Sequence, residues 1–266
     1  MTEPYYTYGI CSICGVRRES PASLGTRFVG TLDALTRIDP LCANWEIIDT
    51  HALSSSSLAA ARSRIADIIE NNVARNEDNF NKAIPRYGYH AFARTNMDRD
   101  PRNVSFTVNA GGERESRTKL EFGDYELAPD RTVITYPRFK AALLAINAAW
   151  HPRYSFAYAH RVGSVLVPFK LGSLEANQVI GVPQVPGDPT FPDDFYIPWL
   201  FYLSAPFAAG LKMTSEIQTE GTPDGGSLMI AAEDRLDPAN PAHVRSARIL
   251  AEMLIACRDY ASHEPA

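Results

Sequence analysis

The strongest constraint on the fold is a pair of glycine-pair turns, Gly111-Gly112 and Gly225-Gly226, each set between β-forming runs. Val104 to Ala110 leads into the first turn, and Thr118 to Tyr125 follows it. Met213 to Thr219 and Leu228 to Ala232 flank Pro223-Asp224-Gly225-Gly226. Connections this short join antiparallel neighbours, because a parallel crossover needs a dozen or more residues. Glycine supplies the positive φ such turns demand, and Asp bonds its own backbone two residues on. Further runs rich in β-formers lie at Tyr5–Val16, Tyr87–Thr95, Tyr154–Arg161 and Val165–Phe169.

Helical spacing separates these runs. Leu24, Phe28, Leu32, Leu35 and Ile38 recur on one face until Asp39-Pro40 stops the helix. A Ser-rich connector, Ser54 to Ser57, supplies an N-cap for a second helix with the face Leu58, Ala61, Ile65, Ile68, Ile69 and Val73. Pro137 opens a third through Phe139, Leu143, Ile146 and Trp150. Pro241 opens a fourth through Val244, Ala247, Ala251, Leu254 and Cys257, and Asp259 to Ala266 reads as a tail. Asn71–Lys82 and the Pro/Gly-rich Gly181–Pro198 read as loops. The sequence thus predicts an α+β chain, antiparallel sheet packed with about four helices, as one domain over residues 1–266. An echo at identical spacing, Arg27-Phe28, Leu32 and Leu35 against Arg138-Phe139, Leu143 and Ile146, suggests two pseudo-repeated halves, 1–130 and 131–266.

The chain has 266 residues, 45% of them hydrophobic, enough to bury a core without disulfide or metal. A formal charge of −5 argues against a general nucleic-acid binder. The acid is uneven: from Pro183 to Asp237 nine carboxylates face two bases, a local net charge of −7. MTEPYYTYGICSICGVRR lacks a basic start and apolar run, so no signal peptide is expected. Ile197–Leu211 is apolar but broken by prolines and too short to span a bilayer. Four scattered cysteines fit a reducing compartment, so the expected location is cytoplasmic.

Motifs that carry chemistry do not emerge. Cys11-Ser-Ile-Cys14 lacks the second pair a zinc site needs, and in a strand its two thiols point to opposite faces. Neither an HExxH pattern, nor a Gly-x-Ser-x-Gly elbow, nor a phosphate loop is present. His151 and His160 flank an aromatic strand and could share a cleft, although a satisfied structural histidine is the commoner outcome. The expectation is no catalytic residue, no metal and no cofactor. Binding remains. Phe191 to Trp199 mixes aromatics and acid in a proline-stiffened segment, a composition that suits an interface unless its aromatics belong to the core. The candidate contact residues are Asp188, Asp193, Asp194, Tyr196, Glu216, Glu220 and Asp224.

The stretch RFVGTLDALTRIDPLCANWEIID, Arg27 to Asp49, carries a resemblance. A helix ending in Ile-Asp-Pro, then Trp45, then a Gly88-Tyr89 strand, resembles the immunity protein 52 family of bacterial polymorphic toxin systems. The likeness extends through the second helix-plus-strand unit, Arg138 to Tyr158. It implies an antidote that binds a cognate toxin with a restriction-endonuclease-like nuclease domain, delivered by a type VI secretion system. An acidic surface would complement a nuclease's basic cleft. Alternatives are an adaptor or chaperone for a secreted effector, or an enzyme with a non-standard site.

Overall fold

In the computed structural model every strand among the described residues joins one antiparallel sheet. The structure describes residues 5–75, 82–95, 100–123, 128–162, 196–211, 215–237 and 239–263. In chain order the elements are β1 (Tyr5–Val16), α1 (Pro21–Ile38), β2 (Glu46–Asp49), β3 (Ser54–Ser57), α2 (Leu58–Ala61), α3 (Ile65–Asn71), β4 (Tyr89–Arg94), β5 (Val104–Ala110) and β6 (Glu115–Phe122). There follow α4 (Tyr136–Trp150), β7 (Tyr154–Val162), β8 (Tyr196–Leu203), α5 (Ala205–Gly210), β9 (Gln218–Gly221), β10 (Ser227–Ile230) and α6 (Pro241–His263). The ten strands lie in the order β3-β2-β4-β5-β6-β1-β7-β8-β10-β9.

Each principal helix has a local cause. Ser20 caps α1 by accepting the Ser23 N–H at 3.2 Å, and Pro21 stands in its first turn. Pro40 forces Asp39 into extended backbone (φ −144°, ψ 127°), which ends α1. The Asp39 carboxylate then caps the next turn at the Leu41 N–H and pairs with Arg138 on α4. α4 closes on His151 in the left-handed region, with Pro152 after it.

The first face of the sheet is covered by α1, α3 and α4. Phe28 of α1 stacks on Phe106 of β5 at 5.7 Å between centroids. Phe139 of α4 meets Phe122 at 4.6 Å and Trp199 at 5.0 Å. Small residues on β7, Ser155, Ala157 and Ala159, lie fully buried on this face, and the Ser155 hydroxyl donates to Asn147 of α4 at 2.8 Å. Trp150 Nε1 donates to Thr31 Oγ1 at 2.9 Å, tying α4 to α1. A second core cluster, on the opposite face, joins Tyr154, Phe156, Phe201, Leu203 and Met229 to Phe207 of α5 and to Leu250, Leu254 and Cys257 of α6.

Several expected boundaries move. Ser54–Ser57 is an edge strand on β2, although Ser57 does cap α2 at the Ala60 N–H. The second helix breaks into a 3-10 turn at residues 62–64, and Val73 leaves it to bridge Tyr89. β6 begins at Glu115, three residues before the expected start. The expected loop through Pro198 ends sooner, because β8 starts at Tyr196, with Pro198 opposite Tyr158 at a bulge. The expected tail from Asp259 is helical to His263. The Val165–Phe169 strand lies outside the described residues. Trp199 is fully buried, so it is core and not an interface anchor.

Candidate functional site: the acidic edge hairpin

β9 is the last of the described strands, and its hairpin with β10 carries Glu220 and Asp224, with Glu216 just before it. Thr222 to Gly226 closes the turn with Gly225 at φ 81°, as Pro223-Asp224-Gly225-Gly226 predicts. Glu216 is exposed and immediately precedes Ile217, which is buried. Glu220 is half-buried and accepts from Lys140 Nζ of α4; Lys140 also reaches the Tyr136 hydroxyl at 3.3 Å. The Glu220 hydrogen bond raises the Lys140 ammonium above its ordinary value.

Asp224 is committed to its own turn. Its carboxylate accepts the Tyr202 hydroxyl, the Thr222 hydroxyl and the Gly226 N–H. Partial burial pushes that carboxyl up, but the three donors outweigh it and hold the group below the usual carboxylate range. Burial and the same hydrogen bond push the Tyr202 phenol upward.

The acid continues past β10. Gln218 Nε2 donates to Glu233 at 2.6 Å across the strand ends. His243 of α6 accepts the Asp237 N–H at Nδ1, 3.1 Å, which leaves Nε2 facing Asp234 at 3.3 Å. Glu216, Glu220 and Asp224 therefore run along one edge hairpin, with Glu233, Asp234 and Asp237 beside its base. Tyr196 opens β8, opposite His160, with its side chain outside the described residues. Asp188, Asp193 and Asp194 also lie outside them.

The other candidates do not assemble a reaction centre. His151 lies before β7 and His160 near its far end; Tyr154 to His160 alone spans roughly 20 Å at about 3.3 Å per residue, so the two histidines do not share a cleft. His151 is exposed, its carbonyl taken by Arg17 at 2.9 Å. Cys11 and Cys14 fall in different core clusters, on opposite faces as the strand offset requires. Burial pushes the Cys11 thiol up to about 11 and Cys14 up to about 12, so both stay protonated and inert near neutrality. Among the described residues no group of three or more His, Cys, Asp or Glu is placed to hold a metal ion, and no helix is long and apolar enough to cross a membrane.

No curated protein matches the sequence. Among solved structures, the Pseudomonas aeruginosa T6SS protein PA0821 is similar over 94% of this chain and 76% of its own, at 10% identity and a TM-score of 0.49. The sequence profile of Immunity protein 52 matches residues 4–258, from the first sheet strand into the last helix. The chain belongs to the Immunity protein 52 family.

Proposed function

We propose that this protein is a cytoplasmic antidote that binds and neutralises a cognate nuclease toxin, restriction-endonuclease-like in fold and delivered by a type VI secretion system. Membership of the Immunity protein 52 family across nearly the whole chain carries the reading. The proposed contact surface is the acidic side: Asp188, Asp193, Asp194, Tyr196, Glu216, Glu220 and Asp224. A nuclease presents cations to phosphate, so a carboxylate surface speeds encounter and complements the cleft. The action is stoichiometric occlusion of the cleft, or capture of the toxin in an inactive assembly, and needs no catalysis by the antidote.

Co-expression with the toxin encoded beside it, scored by survival and by co-purification, tests this directly. Rescue with a stable complex, weakened by Asp193→Lys with Asp194→Lys or by Glu216→Lys, supports both role and surface. Rescue indifferent to those charges keeps the role and removes the surface. Absence of both rescue and complex ends the antidote reading.

A further inference from the structure

The antiparallel registers place the C-terminus of β1, the β2–β3 turn, the start of β4 and the β5–β6 turn at one end of the sheet. Val16, Leu53 and Tyr87 are the exposed large hydrophobic residues among those described, at 55%, 90% and 38%, and all three lie at this end. Scattered exposed apolar residues need no explanation, but their convergence on one end does.

Two guanidiniums lie over the Tyr87 ring. Arg86 Cζ lies 5.1 Å and Arg114 Cζ 4.1 Å from its centroid. All three side chains are exposed. Among the described residues neither arginine pairs with a carboxylate, and the neighbouring Glu113 is already engaged by Arg18 at 3.0 Å. Two like charges on one ring repel unless an anion joins them. Arginine's planar fork suits a carboxylate, and the ring holds the fork in place.

The two connections bearing these residues are locked together through backbone. Gly88 adopts φ 94° and Gly111 φ 89°. A Cβ on Gly112 would lie 2.5 Å from the Gly88 nitrogen and 2.6 Å from the Arg86 oxygen. The Glu113 N–H donates to that same Arg86 oxygen at 2.7 Å.

Leu53 is displayed with equal rigidity. It sits at φ 50°, a region non-glycine residues rarely occupy, as the last residue of the β2–β3 turn. Buried Asn72 braces that turn by accepting the Thr50 hydroxyl at 2.8 Å and the His51 N–H at 3.2 Å. Asp49 accepts the His51 and Ala52 N–H groups. Rigid display of an apolar knob beside stacked arginines lowers the entropy lost on docking.

We propose that this end of the sheet is a second contact surface for the toxin, with Leu53 as apolar anchor and Arg86 and Arg114 clasping a carboxylate on the toxin's surface. It rests on the antidote reading, but not on the acidic hairpin: β6, which follows Arg114, is four strand spacings from β10, on the order of 19 Å, and the Arg86 and Leu53 turns lie farther still. An apolar anchor beside the cations favours a protein carboxylate over a nucleic-acid phosphate.

The test is titration of an active-site-inactivated toxin with wild type, Arg86→Glu/Arg114→Glu, Leu53→Asp and Arg86→Lys/Arg114→Lys, each checked for unchanged Tm. Charge reversal should weaken binding at least 100-fold and flatten its salt dependence; Leu53→Asp should weaken it at least 10-fold. The lysine pair should retain part of the affinity. Wild-type affinity in both Arg86→Glu/Arg114→Glu and Leu53→Asp overturns the inference and leaves the antidote reading standing. A wild-type chain that forms no complex overturns both. Binding of a duplex oligonucleotide, lost in the arginine variants while toxin affinity is kept, reassigns the clamp to phosphate.

Discussion

β5 and β6 alternate in burial at nearly every residue, whereas β7 from Tyr154 to Ala159 and β8 from Ile197 to Leu203 are buried throughout. The difference is the number of layers. Beneath both pairs run the helices of the first face; only the second pair also carries α5 and α6 above it. A strand covered once reads as alternation, and a strand covered twice reads as an unbroken apolar run. One row across the second face makes the contrast visible. It passes through Ile48, Phe92, Thr107, Lys119, Cys11, Phe156, Phe201 and Met229, changing from half-buried and mixed to wholly apolar at Cys11. The apolar Ile197–Leu211 segment is thus a doubly covered strand followed by a short helix.

The sharpest way to break this comparison is to place one charge at two points of that row. Phe156→Lys should cost more than about 4 kcal/mol, because the ammonium has no route to water. Thr107→Lys should stay within about 0.5–1 kcal/mol, beside a lysine already accommodated at 119. Urea unfolding measures both, and equal losses would mean the two regions are not differently covered.

The layer under both regions is next. Asp39→Asn leaves Arg138 without its buried partner, and the expected loss is about 3 kcal/mol. Tryptophan fluorescence and far-UV circular dichroism should report one shared transition. Two separated transitions would show that the once-covered and twice-covered regions unfold independently.

A smaller effect sits between α1 and α4. Thr31→Val keeps shape but leaves the Trp150 N–H unpaired, an expected loss of about 1.5 kcal/mol by thermal unfolding. An unchanged Tm would mean the indole finds another acceptor.

The gentlest test uses the thiols on either side of the sheet. All four are buried, with values raised from 9.0 to about 11 for Cys11 and about 12 for Cys14, Cys42 and Cys257, burial being the first cause. The folded chain holds these protons after the unfolded chain has lost them. Their contribution to stability is therefore complete below about pH 9 and falls as pH rises through the window up to about 11–12. At pH 8 native alkylation should be slow at every cysteine. Leu250→Asp, which loosens the second cover, should speed labelling of Cys11 and Cys257 and leave Cys14 and Cys42 slow. Uniform labelling would erase the distinction between the faces.

Much of this architecture was legible because its causes are local. Tyr5–Val16, the Leu24–Ile38 and Pro137 helices and the Asp224-Gly225 turn follow from strand formers, apolar spacing, helix stops and turn chemistry within a few residues. Ser54–Ser57 was not, since serine is an indifferent strand former and the segment is extended by pairing with β2. The acidic segment was legible as charge but not as geometry. Glu220 meets Lys140 eighty residues away, and Asp224 is held by Tyr202; neither partner can be read from spacing. Tyr87 carried a signal only in hindsight, flanked by Arg86 and placed two residues before a strand, because its second arginine arrives from the β5–β6 turn.

The central place of β1 sets a timetable. This first strand pairs with β6 on one side and β7 on the other, so Tyr5 finds Val162 as its neighbour. On a ribosome adding about 5–20 residues per second, the β7 edge of β1 waits roughly 7 to 30 s for its partner. Pairings this distant in sequence belong to slow-folding topologies. β1 thus spends that interval with one edge unpaired, and exposed strand edges on newly made chains meanwhile need shelter from one another.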